Sequence, residues 1–289
     1  MKRATQKLDD MGTNPSAKRQ RLDLRLLELG MFSSREAAQT AIIDGGILVD
    51  GQRVTKPGTA VSSRAYVELS PGWGPPKYAS RGGLKLEKAL SSFAVDPSGR
   101  VCLDIGASTG GFTDCLLKHG ALRVYAIDVG YGQLDWRLRQ DPNVLVRERL
   151  NARHLTPELL YKEGEAWADL AVIDVSFISI IKILPALIGV LGSAKPEIVA
   201  LIKPQFEAGR SLVDRGGVVK SPAVHEQVIR LLLDKARSLG LASKALTYSP
   251  VRGPAGNIEY LVHWLREEKA LELNVANIVS EAHQALKVQ

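Results

Sequence analysis

The run EIVALIKPQFEAG (197–209) carries five apolar residues up to Lys203. A lysine on the rim of a buried strand has two uses. Its ammonium group can reach water at the strand end, or its amine, once deprotonated, can act as a base. Other residues able to do chemistry sit at similar places. VCLDIGASTGGFTDCLL (101–117) has the form of a strand, a glycine turn and a helix, and Gly106, Gly110 and Gly111 allow a sharp bend and a close approach to a ligand. The turn reads D-x-G-x-x-x-G-G rather than G-x-G-x-x-G, so nothing in it demands a pyrophosphate. Asp128 ends the next apolar run, 22 residues after Gly106, where a carboxylate accepts hydrogen bonds from two ribose hydroxyls. Together these suit an adenosine-containing cofactor, and the missing third glycine favours S-adenosylmethionine over NAD. A flavodoxin-like fold with an unrelated ligand is the competing reading.

The elements that would position these residues follow from periodicity. VCLDIG, VYAIDVG, DLAVIDVS and EIVALIKP are short apolar runs separated by helix-like segments, which predicts an α/β fold with a doubly wound, mostly parallel sheet. Ligands of such sheets lie beyond the carboxyl ends of the strands, so Asp128, Asp174 and Lys203 are expected to face one crevice. GNIEYLVHWL (256–265) reads as a final antiparallel strand that would return Glu259 to the same edge. SRGGLKLEKAL (80–90) starts a helix with Lys85 in its first turn.

Ahead of this part, residues 21–70 read as a small α+β unit. RLDLRLLELGMF has apolar residues at helical spacing, Ser33 and Ser34 cap a second helix, and an Asp50-Gly51 turn separates two short strands. PGWGPPKYA (71–79) reads as a linker before a domain spanning 80–268, 269–289 as a final helix, and 1–20 as a disordered basic tail. Cys102 and Cys115 have no metal or redox spacing and read as core thiols of a reducing compartment; no metal site is expected. The four tryptophans read as packing residues. Lacking an apolar signal or a long apolar span, the chain is expected in the cytoplasm. Of the net charge of +7, residues 1–90 hold 15 Lys+Arg against 9 Asp+Glu, which points to a polyanion held by the N-terminal third.

Residues 21–69 resemble the small RNA-binding module named after ribosomal protein S-four, through the paired helices, the SREAAQTAIIDGGILVDGQRV run and the closing strand. That resemblance implies that Arg21, Arg35, Arg53 and Lys56 contact RNA; a structural cap is the alternative. Lys85, Asp174, Lys203 and Glu259, in that order, resemble the Lys-Asp-Lys-Glu tetrad of ribose 2′-O-methyltransferases of the FtsJ/RrmJ type. SRGGLKLEKAL, LDIGASTGGFTDCLL, DVGYGQLDWRLR, ERLNAR, DVSFIS, LIKPQFEAG, GGVV and GPAGNIEYL are similar to phrases of the TlyA family, also called haemolysin A, over roughly residues 20–265; residues 1–20 depart from it.

The family resemblance implies a Rossmann-like class I methyltransferase domain that moves a methyl group from S-adenosylmethionine to ribose 2′-hydroxyls of ribosomal RNA; ribosomal subunits are the expected partners, and a monomer is expected. Such a hydroxyl is a weak nucleophile, so a base must take its proton as the bond forms. A free lysine has a pKa of about 10.4, and Lys85 beside Lys203 together with partial burial would lower it, while too close a carboxylate would raise it again. Lys203 is preferred as base, with the roles of the two lysines exchanged as the alternative. Gly106, Ala107, Ser108, Thr109, Gly110, Gly111, Phe112, Asp128 and Asp174 are the expected cofactor residues. Asn151 either approaches the adenine or caps a turn. The long glycine-rich loop PQFEAGRSLVDRGGVV places Arg210, Arg215 and Lys220 to grip phosphates, with the target nucleotide splayed out. Two other classes compete: a non-catalytic RNA-binding or ribosome-assembly factor, and a membrane-acting cytolysin.

Overall fold

The computed structural model describes residues 19–32, 34–74, 76–192, 196–267 and 269–287. Residues 1–18 of the expected tail, and Ser33, lie outside them. Contacts divide the chain into two units, 1–76 and 77–289.

In the first unit, β1 (Arg19–Arg21) is followed by α1 (Leu22–Glu28), α2 (Arg35–Ile43), β2 (Ile47–Val49), β3 (Gln52–Arg53), β4 (Ala60–Ser62) and β5 (Val67–Leu69). Arg19 and Gln20, expected in the tail, instead pair antiparallel with β4, at Arg19↔Ser62 and Gln20↔Val61. Leu22 and Leu26 of α1 and Ala38, Ala41 and Ile42 of α2 meet over Ile47 and Val61, the helical spacing read from the sequence. Ser34 caps α2 by accepting the Ala37 N–H at 3.2 Å. Asp50 and Gly51, at φ 50° and 76°, form the β2–β3 hairpin turn, which needs positive φ at both positions.

The second unit holds α3 (Gly82–Phe93), β6 (Val101–Ile105), α4 (Gly111–Lys118), β7 (Arg123–Asp128), α5 (Trp136–Gln140), β8 (Val144–Glu148), α6 (Pro157–Leu160), β9 (Leu170–Ile173), α7 (Leu184–Val190), β10 (Glu197–Ile202), α8 (Pro204–Glu207), α9 (Pro222–Ser238), β11 (Ala242–Tyr248), β12 (Tyr260–Leu265) and α10 (Val275–Ala285). Its seven strands run in the order β11-β12-β10-β9-β6-β7-β8, and β12 alone is reversed. This is the doubly wound, mostly parallel sheet expected. Side chains alternate across it: Ile198, Ala200 and Ile202 enter one core, Val199 and Leu201 the other. Cys102 and Cys115 lie in the second core, where burial pushes each thiol up to about 12.

Several sequence expectations change here. β8 and β11 were not read from the sequence, so the strands ending before Asp174 and Lys203 are the fourth and fifth of this sheet in chain order. Both missed strands mix polar and apolar residues, and β8 sits at an edge. The final helix begins only at Val275, because Asn274 caps it through Asn277 N–H at 3.1 Å and Leu271 N–H bonds the Ser243 carbonyl of β11. Within the expected linker, Trp73 packs edge-on against Phe32 and Tyr78 is buried in the core under α3. The glycine-rich loop after Lys203 includes α8 and a short turn at Arg210–Leu212. Trp136 is exposed rather than packed. Among the described residues no helix is long and apolar enough to cross a membrane.

Candidate active site

Strand order reverses at β6, whose neighbours are β7 and β9, and side chains converge at the carboxyl ends there. Asp174 follows β9 and Lys203 follows β10. Ile202 pairs with Tyr260 in the antiparallel β10–β12 ladder, so the residue after Ile202 stands opposite the residue before Tyr260, Glu259. Lys85 comes from the first turns of α3. That helix lies close to α4 because glycines remove the obstructing atoms: a Cβ on Gly111 would stand 2.3 Å from Ser80 Oγ, and one on Gly83 would stand 2.2 Å from Tyr78 Cγ.

The four residues form two ion pairs. Lys85 Nζ donates to Glu259 Oε2 at 2.6 Å, with side chains only 9% and 1% exposed. Lys203 Nζ lies 2.6 Å from Asp174 Oδ1 and donates to Ser176 Oγ at 2.9 Å. Each lysine thus faces a carboxylate of its own. Glu259 Oε1 is buried and accepts no hydrogen bond from the described residues, an acceptor kept in reserve. All four side chains line one cavity of about 550 Å³.

A second cavity, about 340 Å³, is lined by Asp128, Asn151, Ile127, Val129 and Ile178, and shares Gly106, Ser108, Asp174, Ser176 and Phe177 with the first. Gly106, at φ 89°, is required because a Cβ there would sit 2.6 Å from the Asp174 carbonyl oxygen. Ser108 takes a left-handed conformation, φ 49°, and its N–H donates to Asp128 Oδ2 at 2.8 Å; Gly130 N–H donates to Oδ1 at 2.6 Å. The acid expected to face a ribose is therefore fixed by both turns, and each oxygen keeps a further lone pair. Ala107, Thr109, Gly111 and Phe112 line the larger cavity. Gly110 lines neither; its place, φ 95°, is set by Leu134 and Leu138, which a Cβ would strike. Asn151 caps a short turn, accepting from Arg153 N–H at 3.1 Å, and also lines the smaller cavity.

The cations expected to meet RNA divide into two groups. Arg21 donates through Nε and Nη2 to buried Asp23 at 3.0 and 2.9 Å, and Arg35 Nε donates to the same carboxylate at 3.0 Å. Hydrogen bonds from Arg21, against the cost of burial, hold the Asp23 carboxyl well below the usual range. Arg53 reaches Ser70 Oγ at 3.5 Å. Lys56, Arg210 and Arg215 are exposed, and Lys220 makes an exposed ion pair with Asp214 at 3.1 Å.

The site has members that the sequence reading missed. Ser176 and Phe177 lie two and three residues after Asp174, and Phe177 is 90% exposed at φ 66°, tilted against Phe206 with ring centroids 5.0 Å apart. Glu207 ties that turn to α8 by accepting Ile180 N–H at 2.8 Å. Buried Asn257 accepts Val219 N–H at 3.0 Å and donates to the Gly217 carbonyl at 2.9 Å, clasping the loop at the cavity wall. Asp104, two residues before Gly106, accepts from Thr113 Oγ1 at 2.6 Å, and burial pushes its carboxyl up to about 7. A charged residue in a strand run was the available signal for Asp104; for Phe177 only its neighbourhood to Asp174 was. Among the described residues no group of three or more His, Cys, Asp or Glu is placed to hold a metal ion.

Comparison with known proteins agrees with this geometry. Residues 78–266 match the model of the FtsJ-like methyltransferases, and residues 20–64 match that of the S4 domain. The chain is 43% identical over 270 residues to the 16S/23S rRNA (cytidine-2′-O)-methyltransferase TlyA of Mycobacterium tuberculosis, covering 93% of this chain and 98% of the relative. It is 42% identical over 245 residues to Hemolysin A of Brachyspira hyodysenteriae, covering 85% and 99%. A solved structure from Streptococcus thermophilus that carries a hemolysin name superposes with a TM-score of 0.73 at 38% identity, covering 93% of this chain and 98% of that one. With the glycine turn, the two lysine–carboxylate pairs and these matches in agreement, the chain belongs to the FtsJ-like methyltransferases, and among them to the TlyA type with an S4 domain ahead of the catalytic unit.

Proposed function

We propose that this chain transfers a methyl group from S-adenosylmethionine to a ribose 2′-hydroxyl of ribosomal RNA. The observation that carries this is the joining of two cavities, one closed by the Lys85–Glu259 and Lys203–Asp174 pairs and the other floored by Asp128. The substrate class comes from relatives such as the M. tuberculosis protein, whose name gives rRNA cytidine 2′-O-methylation.

The smaller cavity fits an adenosine: Ile127, Val129 and Ile178 offer apolar walls, and Asp128 offers an acceptor for ribose hydroxyls. S-Adenosylmethionine bound there supplies an electrophilic methyl group on a sulfonium. The chain's own residues supply position and proton transfer. Lys203, which must give up its ammonium proton for this step, takes the proton of the attacking 2′-oxygen at Nζ, which Asp174 and Ser176 hold in place. Lys85 and Glu259 fix the opposite wall, and Glu259 Oε1 accepts from the substrate hydroxyl before transfer. Arg210, Arg215 and Lys220 on one unit, and Arg53 and Lys56 on the other, contact phosphates, with the target nucleotide splayed from its helix, while Arg21 and Arg35 are held by Asp23. In this proposal the protein acts on ribosomal subunits in the cytoplasm, as a monomer.

The test uses methyl-labelled S-adenosylmethionine with separated ribosomal subunits from a strain lacking the enzyme. Label should enter ribosomal RNA with wild type and fall by about 10²–10⁴ with Lys203→Ala, the share a positioned base supplies, while cofactor affinity by calorimetry stays unchanged. Cofactor binding without label on either subunit would refute the substrate assignment; label that survives Lys203→Ala would refute the base.

A further inference from the structure

The turn between β7 and α5 exposes three large apolar side chains within eight residues: Val129 is 72% exposed, Tyr131 68% and Trp136 66%. Scattered apolar residues on a surface are ordinary, but a cluster beside a binding cavity marks contact with something. Three features say what. First, the guanidinium carbon of Arg149 lies over the Tyr131 ring, 4.3 Å from its centroid. Second, Arg149 holds a left-handed backbone, φ 57°, in which a non-glycine residue is strained, and its N–H is tied to the Gly130 carbonyl at 3.1 Å. Third, Glu148 accepts the Gly132 N–H at 2.9 Å and Arg139 Nη1 at 3.2 Å, so one carboxylate joins the Tyr131 turn, the helix that starts at Trp136 and the strand that leads into Arg149. The Tyr131 ring and the Arg149 cation thus lie together, and the helix that carries Trp136 is tied to the same strand, before any partner arrives.

We infer that Tyr131, Trp136 and Arg149 form a stacking platform for unpaired nucleotides of the RNA substrate, beside the cavity that holds the adenosine group. Gly130 and Asn151 line that cavity, and Tyr131 and Arg149 stand one and two residues away from them in the chain. Exposed Arg153 continues the basic rim, and neither it nor Arg149 has an ion-pair partner among the described residues. Flat rings with an arginine over them are the chemistry by which single-stranded nucleic acid is held without sequence readout, with phosphates meeting the remaining cations. The inference rests on the RNA substrate proposed above and goes further, by assigning the surface that flanks the target.

The experiment compares the full chain with Tyr131→Ala, Trp136→Ala and Arg149→Gly, the last chosen because glycine accepts the positive φ. Tyr131→Phe and Trp136→Phe keep a ring and serve as controls. Two readouts are taken: anisotropy of a short fluorescein-labelled single-stranded RNA, and methyl transfer to ribosomal subunits from a strain lacking the enzyme. The alanine and glycine variants should each weaken RNA binding and raise the KM for subunits by roughly tenfold, as loss of one stacked base does. kcat should change much less, cofactor affinity should hold, and the phenylalanine variants should stay near wild type. If wild type labels RNA while the alanine variants match it in both readouts, the platform is wrong and the methyltransferase reading stands. If wild type labels no RNA, the reading fails and the platform falls with it. If the same variants lose binding to anionic phospholipid vesicles but keep RNA binding, the surface is a membrane contact and the inference is overturned.

Discussion

Two buried carboxylates, one in each unit, are treated in opposite ways. Asp23 in the small unit accepts from Arg21 Nε and Nη2, Arg35 Nε, Gln39 Nε2 and the Leu24 N–H, so both oxygens are saturated. Glu259 in the large unit takes one hydrogen bond, from Lys85, and leaves Oε1 buried without one. A saturated carboxylate has no capacity left for a ligand, and its effect is to join α1, α2 and the end of β1. A buried acceptor left without a partner costs stability, and such sites persist where a substrate completes them. Under the function proposed above, the difference gives Asp23 to the fold and Glu259 to the reaction.

The largest effect expected from this comparison is on rate. Replacing the Lys85–Glu259 pair as a unit, Lys85→Met with Glu259→Gln, should lower methyl transfer by about 10²–10³, yet shift stability by only about 1 kcal/mol, since a buried pair roughly balances its own desolvation. Glu259→Gln alone should cost about 3 kcal/mol, because it leaves a buried ammonium without its partner. Kinetics and urea unfolding on the same three proteins decide it. A double variant with near-normal rate would remove Glu259 from the reaction.

Asp23→Asn should do the reverse. It should destabilise the small unit by about 2 kcal/mol, by stripping charge-assisted hydrogen bonds from a buried position. Cofactor affinity of the large unit should be untouched. Hydrogen exchange resolved by segment would show faster exchange in 19–69 alone; equal loss in both units would deny the division.

Acid should separate the units again. Asp23 has its folded value depressed, so its contribution is present above the unfolded carboxylate value near 3.8 and is lost only as pH falls below it. His225 in α9 behaves differently. Its Nε2 meets the Val219 carbonyl at 2.9 Å, and its Nδ1 faces the Tyr260 hydroxyl at 2.8 Å and His283 Nε2 at 3.1 Å. Burial, helped by His283, lowers it from 6.5 to about 4. The unfolded chain therefore binds the proton first. Its contribution is complete above 6.5 and declines as pH falls towards 4, by up to about 3 kcal/mol for a lowering of this size. Buried Asp104, pushed up to about 7, opposes this because the folded chain takes up its proton first, so segment-resolved exchange at pH 7, 5.5 and 4.5 is read as the difference between wild type and His225→Asn. His225→Asn should flatten that slope, and a slope it does not change would point to other groups.

The same contrast explains what was legible in the sequence. Strands buried on both faces read as apolar runs, so the ends carrying Asp128, Asp174 and Lys203 were found and converge as expected. β8 and β11 were not found, because partly exposed strands keep polar residues and lose that signal. Which lysine meets which carboxylate was hidden as well, since it depends on the Ile202↔Tyr260 register and on how α3 lies against α4. Trp136 looked like packing because composition does not say which way a ring points. Asp23 was not singled out in the sequence; its burial depends on Arg35 and Gln39, 12 and 16 residues away in the chain.

The smallest expected effect concerns the cations. Lys220 shares an exposed pair with Asp214 and can exchange it for a phosphate at little cost. Arg35 cannot leave Asp23 without taking a hydrogen bond from a buried carboxylate. Lys220→Ala should therefore leave the melting temperature unchanged and reduce the salt slope of RNA binding by about one, the signature of one lost phosphate contact. Arg35→Ala should lower the melting temperature and alter the salt slope less. Titrations of ribosomal RNA at several salt concentrations measure both slopes. If Arg35→Ala reduced the slope as much as Lys220→Ala, an arginine bound to a saturated carboxylate would still be free to meet RNA, and the line drawn between Asp23 and Glu259 would have to be moved.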